Sequence, residues 1–174
     1  MSRVLARDEA ATHALGAGLA KALAGRVDAD PEPFVIFLSG DLGAGKTTLV
    51  RAILRALGVE GAVRSPTYTL MERYPLSQGS ALHMDLYRLG DPEELEFLGL
   101  RDDPVPGEIM LVEWPGQGER HLPAPDLCID LAADESSRSG TNGGVDLPAQ
   151  RRWLQATAQT DRGAAVLTAW APWI

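Results

Sequence analysis

Residues 34–57 constrain the architecture of this chain more than any other stretch. Phe34, Val35, Ile36, Phe37 and Leu38 form an unbroken apolar run, the pattern of a strand buried on both faces of a parallel sheet. Gly40, Asp41, Leu42, Gly43, Ala44, Gly45, Lys46, Thr47 and Thr48 follow it. Leu49, Val50, Ile53, Leu54 and Leu57 then recur at helical spacing, with Arg51 and Arg55 on the opposite side. Gly58 stands where a left-handed residue closes a helix. A buried strand, a glycine-rich loop and an amphipathic helix in immediate succession predict an α/β fold, with a mixed, mostly parallel sheet and helices packed on it.

The loop matches G-x-x-x-x-G-K-[ST] in full, the pattern of a phosphate-binding loop in a P-loop NTPase fold. Its small residues let the backbone curl until successive N–H groups point at phosphate oxygens. Lys46 supplies a charge for the outer phosphates, and the Thr47 hydroxyl is placed to ligate Mg²⁺. The next helix points its N-terminus at the same anion. Gly40, Asp41, Gly43, Ala44, Gly45, Lys46, Thr47 and Thr48 are therefore the expected nucleotide-binding residues.

Elsewhere the pattern is coarser. Asp8 caps a first helix that runs to about Leu23. Residues 65–70, Ser-Pro-Thr-Tyr-Thr-Leu, read as an extended segment, and residues 74–80 as a hairpin connection into residues 81–88. There Leu82, Met84 and Leu86 take one face, toward the core, while His83, Asp85 and Tyr87 are displayed on the other. Asp91, Pro92, Glu93 and Glu94 open a short helix in which Leu95 and Leu98 are buried. Residues 109–113 form a second apolar strand that ends in Glu113, with Trp114 and Pro115 directly after it. Residues 127–131 read as a strand, residues 133–149 as a polar, flexible insertion, and the tail from Arg152 as strand-like and then ambiguous.

Ligands of an open α/β sheet collect at the carboxyl ends of its strands. Glu113 is accordingly a candidate for binding Mg²⁺, through water, or for orienting an attacking water. Asp85 is a candidate general base or outer-shell metal ligand, and Thr67 and Thr69 are candidate sensors of the terminal phosphate on a mobile segment. His83 reads as an orienting residue or a satisfied strand histidine. Trp114 is either beside the nucleotide or at a core edge.

Composition narrows the class. The 174 residues, 45% of them hydrophobic, suit a single domain. No apolar run is long enough to span a membrane, and the first residues lack a signal-peptide pattern. A lone cysteine, Cys128, forms no internal disulfide and reads as a strand residue. The expected location is the cytoplasm. A net charge of −8 argues against tight autonomous binding to nucleic acid; Arg51, Arg55, Arg64 and Arg73 are the candidates for any local basic patch.

These segments together resemble the TsaE (YjeE) family. The resemblance rests on residues 40–48, Ser-Pro-Thr-Tyr-Thr-Leu at 65–70, His-Met-Asp-Leu-Tyr-Arg-Leu at 83–89, Asp-Pro-Glu-Glu-Leu at 91–95 and Val-Glu-Trp-Pro at 112–115. It implies a slow, Mg²⁺-dependent ATPase of the machinery that makes threonylcarbamoyladenosine in tRNA. Such an ATPase acts with a TsaB–TsaD heterodimer, meets tRNA only through that complex, and resets it between turnovers. It further implies that Lys46 and Thr47 hold phosphate and Mg²⁺, that Thr67 belongs to a switch-like segment, that Asp85 and Glu113 are the acids of the site, and that Trp114 lies beside the nucleotide. The sequence shows no arginine finger in cis, so a partner is expected to complete the site. Arg151 and Arg152, after the insertion, are candidates for a family arginine near the nucleotide, but the insertion breaks the alignment there and neither is assigned to the site. The rival reading is a small-molecule P-loop kinase, which would need an acceptor pocket and an arginine-bearing lid.

Overall fold

The computed structural model describes residues 1–25, 31–98, 106–134 and 151–174. In chain order the strands are β1 (Ser2–Ala6), β2 (Phe34–Ser39), β3 (Met71–Pro75), β4 (Ser80–Asp85), β5 (Ile109–Glu113), β6 (Leu127–Ala133) and β7 (Arg152–Ala158). The helices are α1 (Glu9–Leu23), α2 (Lys46–Ala56) and α3 (Asp161–Trp170). Among the described residues the strands form one sheet in the order β1-β7-β6-β2-β5-β4-β3. The pairs β6–β2, β2–β5 and β5–β4 are parallel, whereas β1–β7, β7–β6 and β4–β3 are antiparallel. The parallel heart with antiparallel margins is the mixed sheet expected from the sequence.

Both faces of that heart are covered. On one side Leu15, Leu19, Leu49, Ile53 and Leu54 of α1 and α2, with Trp170 of α3, pack on Ile36, Leu38, Leu111 and Ile129. On the other, Val35, Phe37, Leu82, Met84, Met110 and Val112 meet Leu86, Leu89, Leu95 and Leu122 from the connecting segments. Helix α1 begins where Asp8 accepts a hydrogen bond from the Ala11 amide at 2.7 Å. It lies close on α2 because Gly16 has no side chain; a Cβ there would stand 2.5 Å from the Ala52 Cβ.

Four sequence expectations change. Residues 67–69 form a turn rather than an extended segment, with the Thr69 amide bonded to the Pro66 carbonyl at 3.1 Å and Leu70 at φ 62°. The strand starts only at Met71, which leaves residues 76–79 as the hairpin connection. All of β4 is buried, His83 and Asp85 included. Period-two polarity suggested a solvent face, but Asp85 lines the cavity at the strand end and His83 is buried against Glu113. Residues 92–98 form a 3-10 helix in which Leu95 is buried and Leu98 only half-buried. The expected insertion falls almost wholly outside the described residues; Ala133 ends β6, and the next residue, Asp134, pairs with Arg151. Strand β1, at the sheet edge, was not anticipated.

Candidate functional site

Three neighbouring parallel strands deliver the site. Strand β2 runs into the glycine-rich loop, β5 ends at Glu113 and β4 ends at Asp85. The register places Leu38 beside Glu113 and Glu113 beside Asp85. The loop then turns into α2 through Gly45, whose φ of 99° is left-handed and favours glycine. The first-turn amides of α2 thus face the same space as the two carboxylates. A cavity of about 690 Å³ occupies that space.

Of the residues expected from sequence, Gly43, Gly45, Lys46, Thr47, Thr48, Thr67, Asp85, Glu113 and Trp114 line this cavity. Gly40, Asp41 and Ala44 build the loop behind it: the Ala44 amide bonds to the Asp41 carbonyl at 3.1 Å. Lys46 is nearly buried. Its Nζ donates to the Gly40 carbonyl at 2.6 Å and to the Asp41 carbonyl at 3.0 Å, and lies 3.8 Å from the centre of the Trp114 ring. Desolvation lowers the lysine pKa below its ordinary value, while Glu113, Asp85 and Asp41 act in the opposite direction. Trp114 holds its place in a left-handed conformation, φ 57°. Its ring leans on Tyr87 with centroids 5.0 Å apart.

Each acid has defined partners. Glu113 accepts from the Thr47 hydroxyl at 2.9 Å through Oε2 and lies 2.8 Å from His83 Nε2 through Oε1. Asp85 accepts from the Thr67 hydroxyl at 2.8 Å, from the Ser65 hydroxyl, and from the Tyr87 amide at 3.2 Å. Thr69, by contrast, is exposed and lies outside the cavity. The turn at 67–69 is thereby tied to the end of β4 through Asp85.

The donor set fits Mg²⁺ held jointly with phosphate. Among the described residues no group of three or more His, Cys, Asp or Glu side chains could hold a metal by itself. A hydroxyl with one or two carboxylates beside an anion cradle is the arrangement in which Mg²⁺ takes its remaining ligands from phosphate and water.

Sequence reasoning left out Arg152. It is the first residue of β7, is buried, and lines the cavity. Its guanidinium lies so close to Gly45 that a Cβ there would collide with it. A cation in cis therefore stands at the loop, one of the two arginines the sequence left unassigned. Arg151 turns away to Asp134, at 3.2 Å. Leu42, Ser65, Tyr87 and Arg88 were also missed as cavity residues, though Ser65 and Tyr87 stand two positions from Thr67 and Asp85. None of the four arginines suggested as a basic patch is in the cavity. Arg51 and Arg55 donate to the Val63 and Val59 carbonyls, and Arg73 pairs with Glu108.

Residues 6–140 match the family model described as threonylcarbamoyl adenosine biosynthesis protein TsaE. The chain belongs to the TsaE family. The Haemophilus influenzae tRNA threonylcarbamoyladenosine biosynthesis protein TsaE is 40% identical over 135 residues, which cover 78% of this chain and 77% of that one. The Streptomyces coelicolor TsaE protein is 45% identical over 109 residues, or 59% of this chain and 72% of that one. A crystal structure of Bacillus subtilis YdiB superposes with a TM-score of 0.65 at 26% identity, covering 98% of this chain and 94% of that one. The TsaE match ends at residue 140, before Arg152, so the sequence signal stops short of one residue the fold brings to the cavity. TsaE membership and the P-loop architecture make this a nucleotide-binding protein. No helix among the described residues is long and apolar enough to cross a membrane.

Proposed function

We propose that this chain binds ATP with Mg²⁺ in the cavity at the head of α2 and hydrolyses it slowly. In this reading it acts with a TsaB–TsaD heterodimer in forming threonylcarbamoyladenosine in tRNA, hydrolysis resetting the complex between turnovers. The observation that carries the reading is the convergence of Lys46, Thr47 and Glu113 on one cavity, with the Thr47 hydroxyl already oriented by Glu113 at 2.9 Å. The names of its relatives supply the pathway.

The chemistry assigned to the residues follows from their positions. Loop amides and the α2 terminus hold the phosphates. Lys46 leaves its carbonyl partners for phosphate oxygens and neutralises charge there. The Thr47 hydroxyl, with Glu113 behind it, would hold Mg²⁺, which when bound draws charge off the phosphate oxygens. Asp85 holds Thr67, the residue assigned to sense the terminal phosphate, and is assigned as the acid that would accept a proton from water. Arg152 adds a second cation at the loop. With the acidic chain poorly suited to hold tRNA itself, tRNA is met through the complex, in the cytoplasm.

The test is ATP hydrolysis by the pure protein with and without purified TsaB–TsaD, alongside Lys46→Ala. Stimulation by the heterodimer that disappears in Lys46→Ala is the expected result. Equal rates with and without the heterodimer would remove the partner from the proposal, and phosphate transfer to a metabolite panel would point to the kinase instead.

A further inference from the structure

We infer that His83 is a positioning residue that locks the Glu113 carboxylate and, through it, sets the direction of the Thr47 hydroxyl. The inference rests on the nucleotide-hydrolysis reading above.

His83 is fully buried in the middle of β4, with Leu111 beside it in register on β5. Its only described polar contact is Glu113 Oε1, 2.8 Å from Nε2. Its other ring nitrogen, Nδ1, is buried with no hydrogen-bond partner among the described residues. Burying a polar atom without a partner is unfavourable, so an aliphatic residue would fill this strand position at lower cost. What an aliphatic residue cannot do is hold Glu113.

The geometry of the carboxylate makes that hold consequential. Glu113 spends one oxygen on His83 and the other on the Thr47 hydroxyl, 2.9 Å away. Two bonds in different directions fix both the rotation and the reach of the carboxylate. A carboxylate oxygen accepts, so Nε2 turns its N–H toward Oε1 and Thr47 points its hydrogen at Oε2. The Thr47 lone pairs are then left facing the cavity, where a hydroxyl serves as a metal ligand. Outer partners that orient a ligand in this way typically change affinity or activity by 10- to 100-fold when removed.

Two readouts test this. In the nucleotide-free protein labelled with ¹⁵N-histidine, two-bond ¹H–¹⁵N correlations report the protonation of each of the three histidine rings; the His83 signals are those lost in His83→Gln. The expected ring carries a proton on Nε2, and its signals move in Glu113→Gln. Protonation on Nδ1 alone, or signals indifferent to Glu113→Gln, would overturn the inference. In kinetics, His83→Leu is expected to lower kcat on the order of 10- to 100-fold, with Mg²⁺-free ADP affinity unchanged. His83→Gln, which places an amide N–H near the position of Nε2, should recover most of the loss. A folded His83→Leu protein with wild-type kcat would refute it. A wild-type protein without ATPase activity would instead remove the hydrolysis reading, and the ring protonation would still decide the positioning role.

Discussion

Asp126→Ala should destabilise the protein by about 3 kcal/mol, and the figure follows from what this carboxylate holds. Asp126 is buried just before β6 and accepts from the Val35 amide at 3.0 Å, the Thr160 hydroxyl at 2.6 Å, and Arg162 Nη2 and Nε at 2.9 and 3.2 Å. It therefore joins β2, the strand that carries the phosphate loop, to the start of α3. Truncation leaves the Val35 amide buried without an acceptor, at roughly 1–3 kcal/mol. The Thr160 hydroxyl loses a hydrogen bond to the carboxylate, about 1.5 kcal/mol, although it still caps Gly163. The Arg162 side chain is 36% exposed, so water screens its attraction and the ion pair adds no more than about 1 kcal/mol. Urea unfolding followed by circular dichroism measures the loss, with Arg162→Ala for comparison. That variant leaves Asp126 its Val35 and Thr160 donors and is expected to cost less. If Asp126→Ala came within about 1 kcal/mol of wild type, or if Arg162→Ala cost more, the hydrogen-bond reasoning would be wrong and the exposed charge would dominate.

Further outcomes follow from other buried groups. Burial and the Glu72 hydrogen bond raise the Tyr74 phenol to about 12, so ultraviolet titration of the three tyrosines should show one ionising near pH 12, and that one should be missing in Tyr74→Phe. Because this folded-state pKa lies above its unfolded value, the stability it contributes is complete below pH 10 and declines as the pH rises toward 12. Lys46 has the opposite sign. Its pKa is lowered, so the unfolded chain binds the extra proton and stability rises with pH through the interval below 10.5. Subtracting alkaline urea titrations of Lys46→Met from those of wild type should isolate that rise, and parallel curves would contradict it. Gly163→Ala drives a Cβ into the Asp126 carbonyl and should cost on the order of 1–3 kcal/mol in chemical denaturation.

The strand, loop and helix at 34–56 were legible because each is specified locally, by a run of apolar residues, a fixed glycine spacing and a helical period. The carboxylates at the ends of β4 and β5 were legible for the same reason, since each closes an apolar pattern. The partner of each carboxylate was not. His83 and Glu113 are separated by 30 positions, and only the parallel register of β4 on β5 makes them neighbours. The alternation in β4 misled because periodicity reports only that polar residues share a face, and here Asp85 faces the cavity and His83 faces Glu113. Strand β1 was hidden for a different reason. It is short, carries Arg3, and finds its pairing partner at the other end of the chain, where Val4 meets Leu154.

The seating of Arg152 bears on how such a protein tolerates insertions and deletions. In the antiparallel ladder of β6 and β7, Ala133 lies opposite Arg152, and the next step is closed by the Asp134 amide on the Arg151 carbonyl at 2.9 Å. A chain that leaves the sheet at Asp134 and returns at Arg151 therefore restores the same position however many residues lie between. Loop length can drift from one homologue to another while the cation stays fixed against Gly45, because its address is a rung of the ladder and not a distance along the sequence.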